Sequence, residues 1–123
     1  SGVFQMHCGA TNAEARRDGG KYALEYFKFF SALDKRSPHA SKTFEHYGGG
    51  ISRAFEGKTF EDLEQARLLL IGDPAYIIDQ INWAKEYYGV NYLIFEVAQG
   101  GEPHELVIQS LKLFAKEVMP KFR

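Results

Sequence analysis

The stretch 91-NYLIFEVAQGGEPHE-105 decides the fold class, because an apolar run passes through two glycines directly into a helix start. The run YLIFEV is almost continuously apolar, which is typical of a parallel strand covered on both faces. Gly100 and Gly101 would allow a sharp turn or the close approach of a ligand to the backbone. Glu102 and Pro103 suit the opening of the last helix, which Pro120 should stop. The stretch therefore predicts a strand–turn–helix unit of an α/β protein.

The same alternation continues towards the N-terminus. The run GVFQMHCG at 2–9 is short, apolar and bounded by glycines, which predicts a strand. Thr11 begins a capping-box pattern, so a helix is expected to start there. Asp73 followed by Pro74 predicts the cap and first residue of a second long helix, and Gly89 suits the left-handed residue after its end. The sequence thus predicts one domain over 1–123 with parallel α/β architecture.

A different kind of segment lies between these helices, from 35 to 58. It contains serine, proline and three consecutive glycines and has no sustained period, which predicts a long mobile loop. Loops of this length are usually lids or binding loops. His46 and Tyr47 precede the glycines and are candidates to reach a site on closure, although a solvated surface loop explains them equally. After the loop, Thr59 begins a short helix that runs into the apolar LLLIG.

Composition and charge limit the partners of the chain. Its 123 residues are 45% hydrophobic and 25% charged, as in a globular domain. The net charge of -1 and the lack of a Lys/Arg-rich run argue against binding to nucleic acid or an acidic membrane. The apolar runs are far shorter than the ~20 residues that span a bilayer. The single cysteine, Cys8, fits a reducing compartment, so a cytoplasmic location is expected, and the spacing of the histidines predicts no metal site.

Three motifs in the last part of the chain give a family resemblance: 72-GDP-74, 89-GVN-91 and 113-LFAKEVMPKF-122. With them, the segment 71–122 resembles the C-terminal end of the luciferase-like flavin-dependent monooxygenases. The first strand with ATNAEARRDG also looks like the seventh barrel strand of that family and its helix. The resemblance covers nearly the whole chain, and EVMPKF is its most specific part.

The resemblance implies a fold and an activity. The family fold is a (β/α)8 barrel of roughly 250 residues, so the chain resembles its last two strand–helix units, a partial barrel. The implied function is the C-terminal portion of an oxidoreductase that uses reduced flavin and molecular oxygen on a small organic substrate. FMN is the implied cofactor, with F420 as the alternative. The chain alone is expected to be inactive.

An alternative function is a non-catalytic α/β oligomerisation or binding module derived from that family. Exposed parallel strand edges invite pairing with another copy, so a homo-oligomer is expected in either case. A native gene product longer by some 200 residues would favour the enzyme, and a start near Ser1 would favour the module.

In a barrel, the end of the last strand would lie at the mouth where active sites are built. Glu96 would be an inward carboxylate there and Gln99 a hydrogen-bonding side chain, while Gly100 and Gly101 would admit a ligand. The alternative is that the glycines only shape the turn and that Glu96 pairs with a basic residue on a neighbouring strand.

His7 and Cys8 lie at the end of the first strand, another mouth position. Both are candidates to line a flavin or substrate pocket. The alternative is that Cys8 is a small buried hydrophobic residue and that His7 is a core or rim histidine.

Overall fold

The computed structural model describes residues 1–36 and 55–122. Positions 37–54 of the mobile loop predicted at 35–58, with its candidates His46 and Tyr47, fall outside the described residues, and that part stays a prediction; Lys35 and Arg36 instead belong to α2. The described helices and strands, in chain order, are β1 (Gly2–Cys8), α1 (Asn12–Ala15), a π-helical turn (Arg16–Gly20), α2 (Lys21–Arg36), α3 (Phe60–Gln65), β2 (Leu69–Gly72), α4 (Pro74–Tyr88), β3 (Leu93–Glu96), α5 (His104–Leu113), a second π-helical turn (Phe114–Val118) and a final 3-10 turn (Met119–Phe122).

The three described strands form one parallel sheet in the order β2-β1-β3. Gln5 in the central strand is level with Leu69 on one side and Glu96 on the other. The predicted α/β class with parallel strands is therefore confirmed. The strand β2 was not expected, because four consecutive buried apolar residues have no period that separates a strand from a helix.

The order of the strands differs from that of a barrel. Successive strands of a (β/α)8 barrel stand side by side and close on themselves, whereas here β3 lies beside β1 and the described sheet is open. Helices cover both faces of this sheet. The connection from β1 to β2 and the connection from β2 to β3 run in opposite directions across the sheet. Right-handed connections that run in opposite directions place their helices on opposite faces, which accounts for helices on both faces. The described residues thus form a small doubly wound unit.

Alternate side chains of β1 enter two different layers. Phe4, Met6 and Cys8 pack with Ile77 of α4 and Phe114 beyond α5, on what we call the α4–α5 face. On the other side, called the α1–α2 face, a second apolar cluster joins α1, α2 and α3 to β2; its buried members are Ala15, Ala23, Phe27, Leu63, Leu69 and Ile71. The core is therefore divided by the sheet.

Helix ends lie where the capping residues predict them. The side chain of Thr11 accepts a hydrogen bond from the Glu14 N–H, and Thr59 forms a reciprocal capping box with Asp62. Asp73 caps α4, which is followed by Gly89 at a φ of 61°. These local signals work because they satisfy backbone N–H groups that a helix leaves without partners.

Two expectations at the C-terminal end are corrected. The strand β3 is at the edge of the sheet and Ile94 is 44% exposed, so β3 is not covered on both faces; β1 is the central strand. The last helix was expected to end before Pro120. Helical structure instead continues to Phe122 as a 3-10 turn, which does not use the α-helical hydrogen bond that proline lacks.

Candidate functional site

Polar side chains gather where β1 and β3 approach their carboxyl ends. We define the carboxyl-edge cluster as Gln5 and His7 of β1, Glu96 at the end of β3, and Gln99 and Glu102 of the following turn. Gln5 and His7 are only 4% and 5% exposed, and Gln99 is 8% exposed. The parallel pairing of β1 and β3 and the tight turn after β3 bring these residues together.

The side chains of His7 and Glu102 are in close, buried contact. The Nδ1 atom of His7 lies 2.6 Å from Oε1 of Glu102, and the two side chains are 7% and 5% exposed. The ring N–H direction is not aligned with the carboxylate, so neither atom has a well-directed hydrogen bond within the described residues. Burial raises the pKa of the Glu102 carboxyl, nearby Asp18 raises it further, and His7 opposes both effects.

Glu96 is held by three side chains. The Gln5 amide donates to one carboxylate oxygen, and the Tyr26 hydroxyl of α2 donates to the other at 3.4 Å. The Gln99 amide donates to the Glu96 carbonyl oxygen at 2.5 Å. Burial, and then the charge of Glu96, raise the pKa of Tyr26. The partner on the neighbouring strand is thus an amide rather than the basic residue considered from the sequence, and no described cationic side chain forms an ion pair with the carboxylate.

The amide oxygen of Gln5 is a further unusual feature of the carboxyl-edge cluster. It is buried and has no hydrogen-bond partner among the described residues. An unpaired buried acceptor costs about 1–3 kcal/mol, so such atoms are uncommon in packed cores.

Cys8 does not belong to the carboxyl-edge cluster. Its thiol is 2% exposed in the core of the α4–α5 face. Its backbone N–H donates to the Ser110 hydroxyl at 2.8 Å. Burial, followed by the charges of Asp73 and Glu117, raises the pKa of Cys8 to about 11. The interpretation of Cys8 as a small core residue therefore agrees with the structure, because a protonated, enclosed thiol is neither nucleophilic nor ligand-facing.

Gly100 and Gly101, which follow β3, have different surroundings. Gly100 has a φ of 57°, and a Cβ there would lie 2.4 Å from the Tyr22 carbonyl oxygen, so α2 fills the space next to it. Gly101 has a φ of 79° and nothing within 4 Å of a Cβ. Both allow the left-handed turn into α5. In the described residues, the close approach at Gly100 is therefore made by a helix of the same chain.

Among the described candidate residues, other elements of the same chain lie directly against two positions. Besides the contact at Gly100, a Cβ at Gly19 of the first π-helical turn would lie 2.4 Å from the His7 ring. The space beside His7 and beside Gly100 is therefore filled by the chain itself, so direct contacts to a flavin would have to come from other residues. A cavity of about 750 Å³ lies on the opposite, α4–α5 face, and none of the described sequence candidates lines it.

Sequence reasoning missed three members of this region: Gln5, Tyr26 and Glu102. Gln5 had a visible signal, because it is a polar residue inside an apolar strand. Glu102 is 95 positions away from its contact His7, and no local pattern links the two. Their contact depends on the strand order, which places β3 next to β1.

Comparison with known proteins adds no family. No model of a known protein family matches the chain, and no curated protein matches it. In the part of the chain that the structure describes, no three His, Cys, Asp or Glu side chains are grouped to hold a metal ion. No described helix has the length and apolar character needed to cross a membrane.

Proposed function

We propose that this chain is the C-terminal portion of a flavin-dependent oxidoreductase of the luciferase-like monooxygenase type, acting with reduced flavin and molecular oxygen on a small organic substrate. FMN is the proposed cofactor, with F420 as the alternative. The proposal rests on the sequence resemblance together with the position of the carboxyl-edge cluster. A cytoplasmic setting goes with it, because Cys8 is a free thiol.

The observation that carries the proposal is the row of Gln5, His7 and Glu96 on one face of two adjacent parallel strands. Ligand sites of parallel α/β sheets and of barrels lie at the carboxyl ends of the strands. Polar groups are costly in such a buried place, and the unpaired oxygen of Gln5 makes this row more costly still. A requirement for chemistry at this edge explains why polar residues occupy it.

Within the row, Glu96 is the residue that we propose to face the completed site. It ends the edge strand β3, next to which further strands of a longer polypeptide would be added. Gln5 and Tyr26 would then be positioning residues, because their hydrogen bonds fix the carboxylate. The contacts to the flavin would come from those further strands.

The test is a titration of the full natural gene product with FMN and, separately, with F420, followed by oxygen uptake after reduction of the flavin. Saturable binding of one of them and flavin-dependent oxygen uptake are expected. A full gene product that binds neither would contradict the proposal. The isolated chain is expected to bind flavin weakly or not at all, because a barrel pocket is assembled from many strand ends.

A second candidate function is an oligomerisation or binding module, which the edges of the sheet favour. Both outer strands, β2 and β3, have a free side among the described strands. Large apolar side chains are exposed around β3: Val3 is 56%, Tyr92 64% and Ile94 44% exposed. Unprotected apolar edges promote pairing between copies. Light scattering at high micromolar concentration should show an oligomer, and a stable monomer would contradict this function.

A further inference from the structure

The α4–α5 face carries an apolar cleft that the proposed function does not use. Its volume is about 750 Å³, within the range of roughly 300–1,000 Å³ that is usual for small-molecule sites. It is lined by Leu93 and Phe95 of β3, by Ile81 of α4, and by Phe114 of the second π-helical turn. The cleft lies across the sheet from the carboxyl-edge cluster.

Lys85 is the only charged residue among the described residues that line the cleft. Its ammonium group lies 5.5 Å from the centre of the Phe122 ring. No described carboxylate forms an ion pair with it. Asn91 adds the only other polar side chain of the described lining. The cleft thus combines an aromatic and aliphatic interior with one uncompensated positive charge.

We propose that this cleft binds an amphiphilic monocarboxylate, with the apolar body against Phe95 and Phe114 and the carboxylate on Lys85. An apolar body removes the exposed parts of Phe95 and Met119 from water, which is favourable in proportion to the area covered. An anionic head group matches Lys85 and can also accept a hydrogen bond from the Asn91 amide. The concave shape selects a small molecule rather than a flat protein surface.

This inference uses different residues from those of the proposed oxidoreductase function. The cleft is lined by Met6, Leu93 and Phe95, whereas Gln5 and Glu96 of the same two strands belong to the opposite face. A failed flavin titration would leave the cleft proposal standing, and the reverse also holds.

The experiment compares decanoate with decanol, which has the same chain length and no charge, by calorimetric titration of the natural gene product that contains this chain. Decanoate should bind saturably and at least about threefold more tightly than decanol. The Lys85→Met variant keeps the apolar stem and should weaken decanoate about threefold to fivefold with decanol unchanged. Lys112→Met, which removes a charge from the exposed side of α5, is the matched control and should have no effect.

A cleft-filling variant tests the location. Ala115 lines the cleft and is exposed, so Ala115→Trp should reduce binding of both compounds at least about tenfold. If this variant unfolds, Met119→Trp, at a 42% exposed lining position, takes its place. Equal affinities for decanoate and decanol would overturn the proposal. So would equal effects of the two lysine variants, or a tryptophan variant that changes the oligomeric state and leaves binding unchanged.

Discussion

The two faces of the sheet use the same strand in opposite ways. On the α4–α5 face, β1 places Phe4, Met6 and Cys8 in a continuous apolar core. On the α1–α2 face, the alternate residues Gln5 and His7 enter a buried cluster of amides, carboxylates and an imidazole. One strand therefore carries a packing surface and a polar surface, separated only by the alternation of its side chains.

This difference between the two faces indicates which side of the sheet stabilises the fold and which side destabilises it. Apolar burial contributes about 25 cal/mol per Å² without any need for partners. The polar row must satisfy each donor and acceptor, and it leaves Gln5 Oε1 without a partner and the His7–Glu102 contact poorly aligned. Substitutions on the α4–α5 face should therefore cost stability, whereas removal of charge from the α1–α2 face should cost little.

The largest effect is expected for Ile77→Ala on the α4–α5 face. Ile77 is fully buried, so the loss of its side chain should lower the free energy of unfolding by about 2–5 kcal/mol in urea titrations. Ile94→Ala is the matched control: the same atoms are removed at an edge position that is 44% exposed, and the loss should stay below about 1 kcal/mol. Equal losses would mean that the α4–α5 face is not the main core.

A smaller effect is expected for Gly19→Ala on the α1–α2 face. The added Cβ would lie 2.4–2.5 Å from the His7 side chain, which is itself enclosed, so we expect a loss of about 1–3 kcal/mol. Gly20→Ala is the comparison, because its Cβ would meet the outer edge of the Phe60 ring at 2.9 Å and alanine is favoured in a helix by about 1 kcal/mol. A Gly19→Ala protein as stable as Gly20→Ala would show that His7 is not packed against this turn.

The smallest of the three effects concerns the pH dependence of stability. Burial raises the pKa of Glu102 above its ordinary value of 4.5. A carboxyl with a raised folded-state pKa contributes stability that is fully present below its unfolded-state pKa and is lost as the pH rises through the folded-state pKa. Wild type should therefore lose stability relative to Glu102→Gln as the pH rises from 4 towards neutrality.

The difference between the two proteins removes the contribution of Asp62, whose lowered pKa acts in the opposite direction on acidification. Urea titrations at several pH values measure it. A difference that does not change with pH would mean that Glu102 titrates normally and that the α1–α2 face does not disfavour its charge.

Local signals in the sequence predict the element ends better than they predict the arrangement of the elements. The caps at Thr11, Thr59 and Asp73 and the glycine after α4 are confirmed, because each satisfies backbone groups within a few residues of itself. The strand β2 and the order β2-β1-β3 could not be obtained in this way. Strand order depends on contacts between distant segments, and a four-residue apolar run carries no period of its own.

The candidate site shows the same contrast between local signals and contacts of distant segments. The sequence places Glu96 and Gln99 correctly at the end of a strand, and the structure joins them through the Gln99 amide. The structure separates Cys8 from the cluster, because side chains alternate along β1 and those of His7 and Cys8 therefore lie on opposite faces of the sheet. Glu102 was read only as part of a helix start, because its contact with His7 exists only when β3 lies beside β1.

The central claim is that the polar row serves a flavin-dependent reaction and is not merely a costly part of the core. Its most direct test is flavin-dependent oxygen uptake by the natural gene product in three forms: wild type, Glu96→Gln, and Glu86→Gln as a control on the exposed side of α4. We expect Glu96→Gln to lower the rate at least about tenfold with the melting temperature retained, and Glu86→Gln to leave it unchanged. Equal rates in all three proteins would contradict the claim.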